Sequence, residues 1–556
     1  MAGIADFLDS LIGGFSLICF ALAVGSLFWG LFILQPWQKK ADLPPVLLDK
    51  TIRLLSLGGI TLACTQLFKI ILKIWLMSGV LNHSPFPEFA DTTQFIGGLV
   101  RTLLTAIFTG YCALVLAKNP FSKVYWYRAA WLAMPMIISG AWLVHAAGRF
   151  DNPYILMGLT VIHQLGAAAW VGGVFHLIHI WILTKQQTIP ATLWPKLLKR
   201  FSIFGFSSVG VILLTGLPMG LQYIDSWNGL IGTGYGNLLT VKIILLGLAL
   251  SLAWLNKSTV HAYFLTDNDH GLNTRLPHYL EAEAFVLITL LFTAASLASQ
   301  PPAIDIPHLT ATWQEVITMF APQWPSIASP SHHDLIAGEA GRVAIIGQTP
   351  SEAATAWSNY NHNIAGIFLT IMSFFAMLSY VKQRPHNASA ALEIFFSLIT
   401  RYWPIGFIAL GVFLFFRSDA ETWPLGPIGF WESTFNNGEV LQHRIATLLV
   451  FSLGVIEVFA RLPKYQKSHL PYFFPILAAF GGLMLLTHSH IGFQAKSAFL
   501  IQVGHTLMGI FSLILACGRW LELKLDRPGK DIAGFISVAA LFQIGLILMF
   551  YREPLY

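Results

Sequence analysis

The sequence predicts an all-α, polytopic transmembrane helical bundle of about 14 helices with both termini on the outer, periplasmic side. Three observations carry this. Of 556 residues, 55% are hydrophobic and only 11% charged, a balance far too apolar for a soluble chain of this length. Fourteen apolar runs are long enough, with flanking residues, to cross a bilayer. Lys and Arg are sorted between alternate connections, which fixes the orientation.

In chain order the runs are 11–34, 51–80, 95–116, 127–147, 154–183, 201–221, 238–254 and 282–297, followed after a long polar break by 362–380, 395–416, 440–459, 473–487, 499–517 and 532–550. If the first runs inward, the inner connections hold 22 Lys and Arg, and the outer connections with the C-terminal tail hold 5. The net charge of +6 therefore records topology, and nucleic-acid binding is not expected. The N-terminus has neither a basic leader region nor an A-x-A site, so the first run reads as a retained helix. Cys19, Cys64, Cys112 and Cys517 all fall in apolar runs without C-x-x-C spacing, which points to packing and not to disulfides or thiolate metal sites.

The break divides the chain into an eight-helix region, 1–300, a periplasmic connecting segment, 301–360, and a six-helix, His-rich region, 361–556. Within the connector, Trp313, Val316, Ile317 and Phe320 recur at helical spacing and suit a short helix on the membrane surface, with a plain connector as the alternative.

The run 154–183 is the central element of the first region. It has no formal charge but carries His163, His176 and His179. Ala168 with Gly172, and Ala169 with Gly173, are four apart, which lets neighbouring backbones approach closely. That packing turns His163 toward protein. The alternative for any one of these imidazoles is a single hydrogen bond to a neighbouring helix.

Several of the 18 histidines fall toward the outer side. His362, His443 and His505 each open an inward run with the same pattern of His, any residue, aliphatic, small or Met, small. His488 and His490 lie at the outer end of another run, so all five sit within roughly ten Å of the outer surface at a rise of about 1.5 Å per residue. Two chemistries fit. Neutral imidazole suits copper and zinc, with Met484 and Met508 tolerated by copper. Paired imidazoles on facing helices also suit haem b, for example His362 with His443, and His488 or His490 with His505. The alternative is interfacial imidazoles that cap helices and bind water.

In the first region His145 and His163 stand near the same surface with Met219, and Met134 and Met136 flank Pro135 deeper in the membrane; the three thioethers are candidates for a metal relay, with plain packing as the alternative. His176 and His179, three apart and so on one face, could receive an ion on the cytoplasmic side or equally be interfacial residues beside Lys185. Lys69, Lys73 and Lys242 can snorkel, Glu457 has Arg461 one turn later, and Glu281 and Glu283 favour a helix N-terminus. No hydrolytic triad, P-loop or nucleotide-binding Gly turn is present, so no enzymatic chemistry is expected.

From the central run to the polar break the chain resembles the CopD family of bacterial copper-resistance membrane proteins. The matching residues are His163 and Trp170-Val-Gly-Gly173; Arg200-Phe-Ser; Thr215-Gly216; Gly234-Tyr-Gly236 through Lys242; Asn256; Glu283; Ala295-Ser-Leu297; and Pro301-Pro302, with similarity continuing over 320–330. The resemblance implies copper handling at the bacterial inner membrane, generally import from the periplasm with a periplasmic copper-binding protein. Only His163 is carried over as a motif position. The sequence shows no fused soluble copper-binding domain, so a donor is expected as a separate chain docking on the outer face near His332 and His333. Copper uptake leads. The alternatives are a haem-binding membrane redox protein and a membrane factor delivering copper to a neighbouring cuproenzyme.

Overall fold

The computed structural model describes residues 2–37, 43–81, 83–149, 151–339, 351–380, 390–487 and 495–554. The chain is all-α: no strand forms among the described residues, and 12 helices are long and apolar enough to cross a membrane. A helical backbone satisfies its own polar groups, which is what a hydrocarbon environment requires.

Each of the fourteen apolar runs becomes helix, but two of them break. The run 127–147 forms the helix Lys123–Ser139, with Pro135 inside it, and then dissolves into the 3-10 turns Gly140–Leu143 and His145–Gly148. The run 395–416 forms Ala390–Tyr402 and Ile405–Arg417, with Pro404 at the N-cap of the second. Proline has no N–H to donate and its ring crowds the preceding turn. A hydropathy window cannot register that interruption.

Hydropathy also misplaces several helix starts. His362, His443 and His505 were read as opening their helices, yet these begin at Glu352, Gly438 and Ala495. The extra turns before His362 are polar, and two of the three starts are capped: Ser351 accepts from Ala354 N–H, and Asn437 accepts from Glu439 N–H.

Contacts divide the chain into two units, residues 1–8, 226–245 and 300–556 in one, and residues 9–225 and 246–299 in the other. In the second, the helix Pro153–Lys185 is packed as its small residues predict. A Cβ at Gly172 would lie 2.6 Å from Gly25 Cα, one at Gly25 would lie 2.7 Å from Gly172 Cα, and Gly173 abuts the Phe201 ring. The first helix, Ala2–Phe28, continues as a π-helical stretch Trp29–Leu34 that places Trp29 against His176. Lys69 and Lys73 do not simply snorkel: their ammonium groups lie 3.0 and 3.8 Å from Asp9 Oδ1.

In the other unit, close backbone approaches link neighbouring helices. A Cβ at Gly545 would meet Thr370 N at 2.7 Å, and one at Gly518 would meet Ala533 O at 2.8 Å. The same test brings Gly482 to 2.8 Å from Gly509 O, and Gly454 to 2.7 Å from Ile408 N. With lipid as apolar as the side chains, such close van der Waals contact is what holds helices together. The connector helix forms as Trp313–Phe320, closed by a capping box between Thr312 and Glu315. It buries Val316 against Phe499, Leu500 and Val503, while Glu315 pairs with Lys496 at 2.6 Å.

Candidate functional site

Two groups of polar side chains lie among the helices, one in each unit. In the unit containing 300–556, His362 and His505 meet with ring centroids 5.8 Å apart and planes at 88°. Each donates Nδ1–H to the carbonyl one turn earlier on its own helix, His362 to Ser358 O at 2.8 Å and His505 to Ile501 O at 2.9 Å. A carbonyl can only accept, so this bond fixes the tautomer and makes Nε2 the lone-pair nitrogen of each neutral ring.

The chain's C-terminal segment completes this group. Tyr551 stacks on His362 at 4.0 Å and meets His505 edge-on at 5.9 Å. Its phenol donates to Glu553 Oε1 at 2.9 Å, as does Ser358 Oγ at 2.6 Å. Asn363 donates to Tyr551 O at 2.9 Å and Glu553 N–H donates to Asn359 Oδ1 at 2.7 Å, which anchors the segment. Burial raises the Glu553 carboxyl above its ordinary range, with the Ser358 and Tyr551 hydroxyls and His443 opposing that shift.

His443 stands in the same neighbourhood but is paired, its Nδ1 2.8 Å from Asp419 Oδ1. Beyond the helix end, burial pushes the Glu421 carboxyl up to about 7. Asp419 and Glu439 add to the rise, while a backbone hydrogen bond and His443 oppose it. Below His443, Arg444 is held by Phe430 O, Thr422, Ser433 and Thr434, with its guanidinium 3.8 Å from the Phe430 ring centroid.

His488 and His490 lie outside the described residues. The imidazole against His362 is that of His505, whereas the haem alternative takes His362 with His443 as its example pair. Among the described residues no three His, Cys, Asp or Glu side chains gather closely enough to hold a metal ion. Of the connector histidines, His332 Nε2 donates to Ala420 O at 2.8 Å, while His333 is exposed beside Asp334.

In the other unit, His163 faces protein as expected. Its Nδ1–H is shared between Ile212 O at 3.1 Å and Thr215 Oγ1 at 3.0 Å on the helix Leu193–Tyr223. One turn away, Met219 Sδ accepts from Thr160 Oγ1 at 3.4 Å on the same helix pair. His145 lies in the turn whose Ala146 packs with Leu156 and Met157 near Met219. Met136 is buried in its helix and Met134 is exposed, so the two do not share one environment. His176 Nε2 meets Ser26 Oγ at 2.8 Å and stacks on Trp29 at 5.1 Å, whereas His179 Nε2 is buried without a hydrogen bond.

The arrangement that sequence did not assemble centres on Glu283. It is 2% exposed and lies in the second turn of Leu276–Leu297, not at that helix's N-terminus. Trp170 Nε1–H donates to its Oε1 at 2.9 Å, and Asn256 Nδ2–H donates to its Oε2 at 2.7 Å. Three helices thus meet on one carboxyl.

Residues 195–297 match the model of the CopD family, described as copper resistance protein D. The matched segment is a CopD region. It contains Thr215, Asn256 and Glu283, begins after His163 and Trp170, and ends before Pro301. The copper transport protein CutJ of Bacillus subtilis (strain 168) is similar to this chain, 29% identical over 289 residues, which covers 50% of each. The chain therefore spans about half the length of that relative. No solved structure matches. The CopD region and the 12 spanning helices describe a multi-pass protein of the inner membrane.

Proposed function

We propose that this protein takes up copper ions from the periplasm across the inner membrane and performs no chemistry on them. The orientation rests on the Lys and Arg distribution, which puts both termini and the His362, His443 and His505 helix ends outside. Support for copper as cargo comes from the CopD region and from the similarity to a copper transport protein. The observation that carries the reading is the His362 and His505 pair. Both rings are oriented by bonds to their own backbones, so that each presents Nε2 as a ligand nitrogen.

Two imidazoles make an incomplete ligand set. That suits cargo, which must bind favourably enough to enter and weakly enough to leave, better than a closed four-ligand cage does. Glu421, once ionised, adds negative charge that concentrates cations at this end, beside the His443–Asp419 pair. In the other unit His163, with Met219 one turn away, provides a second imidazole and a thioether along a single helix pair. A periplasmic copper-binding protein is the proposed donor, meeting the surface that carries exposed His333.

Cells expressing the protein should accumulate copper, and His362→Ala with His505→Ala together should abolish that gain while membrane insertion is retained. Unchanged accumulation in the double variant would remove the pair from the mechanism. A haem absorption band in the purified protein would replace transport with electron transfer. Normal cytoplasmic copper with loss of activity in a neighbouring cuproenzyme would replace it with metal delivery.

A further inference from the structure

Glu283 is not accounted for by copper binding at the imidazoles. A carboxyl 2% exposed in the second turn of an apolar helix is costly and needs a reason. Pinning three helices together is one such reason, but any neutral acceptor would serve that purpose. The surroundings of Glu283 are particular in what they lack. Among the described residues, what acts on the carboxyl is burial and the two N–H donors from Trp170 and Asn256, with no cation.

Several charged and titratable groups on the helices around it are engaged elsewhere, and Lys242 lies 14 residues before Asn256 on the helix Gly234–Thr266. On its own helix Glu281 pairs with His278 at 2.9 Å. On Gly234–Thr266, Lys257 places its ammonium over the Phe206 ring. On the first helix, Asp9 is held by Lys69 and Lys73. On Pro153–Lys185, His176 meets Ser26, and His179 lies nine residues beyond Trp170.

The Asn256 side chain adds a second, independent feature. It is buried, its Nδ2–H donates to Glu283, and its Oδ1 has no hydrogen-bond partner. An unsatisfied buried amide oxygen is expensive. A carboxamide can present either of its ends to a carboxyl. With Nδ2 toward Glu283 it donates to the carboxylate, and with Oδ1 toward it, after a half-turn about its last torsion, it accepts from the protonated acid. Trp170 can only donate, and it keeps Oε1 occupied in both states. One donor is therefore fixed and one partner is reversible, which is what a group that gains and loses a proton requires.

We propose that Glu283 is a membrane-embedded proton carrier, with Asn256 as its reversible partner, through which a proton gradient is coupled to movement of the cargo. The proposal rests on the transport reading above. A proton adds to Oε2 of the carboxylate from one side of the membrane and leaves to the other, with no other bond made or broken. Asn256 and Trp170 act as positioning residues.

The test uses the full chain in proteoliposomes with copper ions as cargo and an imposed pH gradient, together with infrared titration of the purified protein. Wild type should show gradient-stimulated uptake and a carboxylic-acid carbonyl band that titrates. In Glu283→Gln, which keeps the acceptor for Trp170, both the stimulation and the band should disappear, whereas Glu283→Asp should restore the band. Persistence of gradient stimulation in Glu283→Gln, or a Glu283 carbonyl that never titrates in wild type, overturns the proposal. Should wild type move no copper while the Glu283 band titrates, the transport reading fails and proton binding at Glu283 stands.

Discussion

Two buried carboxylates of one unit, Glu457 and Glu522, and Glu283 of the other are treated in opposite ways. In the unit containing 300–556, Arg519 sits between Glu457 and Glu522, 2.7 Å from an oxygen of each. Arg461 adds a second cation to Glu457 at 2.8 Å, and Tyr380 donates to Glu522 at 2.6 Å. Those carboxylates have counter-ions. Glu283, in the other unit, has only an indole and an amide. A matched ion network joins helices through charge and breaks badly when one member is lost. An acid with neutral partners joins helices through hydrogen bonds that survive a change in its own charge.

Removing the cation and removing the charge should therefore have very different costs. Arg519→Met leaves Glu457 with Arg461 alone and Glu522 with only the Tyr380 hydroxyl, and should destabilise the protein by about 3 kcal/mol, read as a lowered Tm in detergent. Glu283→Gln leaves an acceptor for Trp170 and a partner for Asn256, and should change stability by no more than about 1 kcal/mol. A Glu283→Gln variant as unstable as Arg519→Met would show that the two sites are alike after all.

A smaller effect should separate the acidic groups by pH. Glu421 has its folded-state pKa raised to about 7, chiefly by burial, so the native state holds a proton that the unfolded chain releases. The sign follows: its stabilising contribution is complete in acid below the ordinary carboxylate range and is lost as pH rises toward about 7. Wild type should lose stability over that interval and Glu421→Gln should lose less. Copper binding at the imidazole end should move the other way, strengthening as Glu421 ionises, because the anion draws cations. An identical pH slope for variant and wild type in both measurements would detach Glu421 from this end of the molecule.

The helices were legible because apolar length and the bilayer thickness are the same quantity read twice. Their breaks and true ends were not. Pro404 divides a run that hydropathy scores as continuous, and the polar turns before His362 are stabilised by Ser358, Asn359 and Asn363, which hydropathy counts only as loop-like. The Ala168 and Gly172 stripe predicted a close helix contact, since small-residue spacing is a local signal, and the partner proved to be Gly25. Glu457 with Arg461 was readable for the same reason. Trp170, Asn256 and Glu283 were each visible as separate positions, but 113 residues separate the indole from the carboxyl, and no local periodicity ties them together. Tyr551 escaped notice because a terminal aromatic after the last span reads as an interfacial anchor, whereas here it covers two imidazoles.

The smallest expected effect concerns how each unit orients its imidazole. His362 and His505 each donate Nδ1–H to a carbonyl of their own helix. His163 instead depends on the next helix, sharing Nδ1–H between Ile212 O and Thr215 Oγ1. Thr215 also donates to Val211 O at 2.7 Å, which leaves its oxygen lone pairs turned to the ring. Thr215→Val keeps the side-chain volume and removes one of the two acceptors, so it should cost about 0.5 to 1.5 kcal/mol. The ring would keep its bond to Ile212 O, and copper accumulation should fall by less than in His163→Ala. If Thr215→Val and His163→Ala depress accumulation equally, orientation by the neighbouring helix is the whole of the His163 contribution. If Thr215→Val changes neither stability nor accumulation, the hydroxyl is incidental and Ile212 O suffices to set the ring.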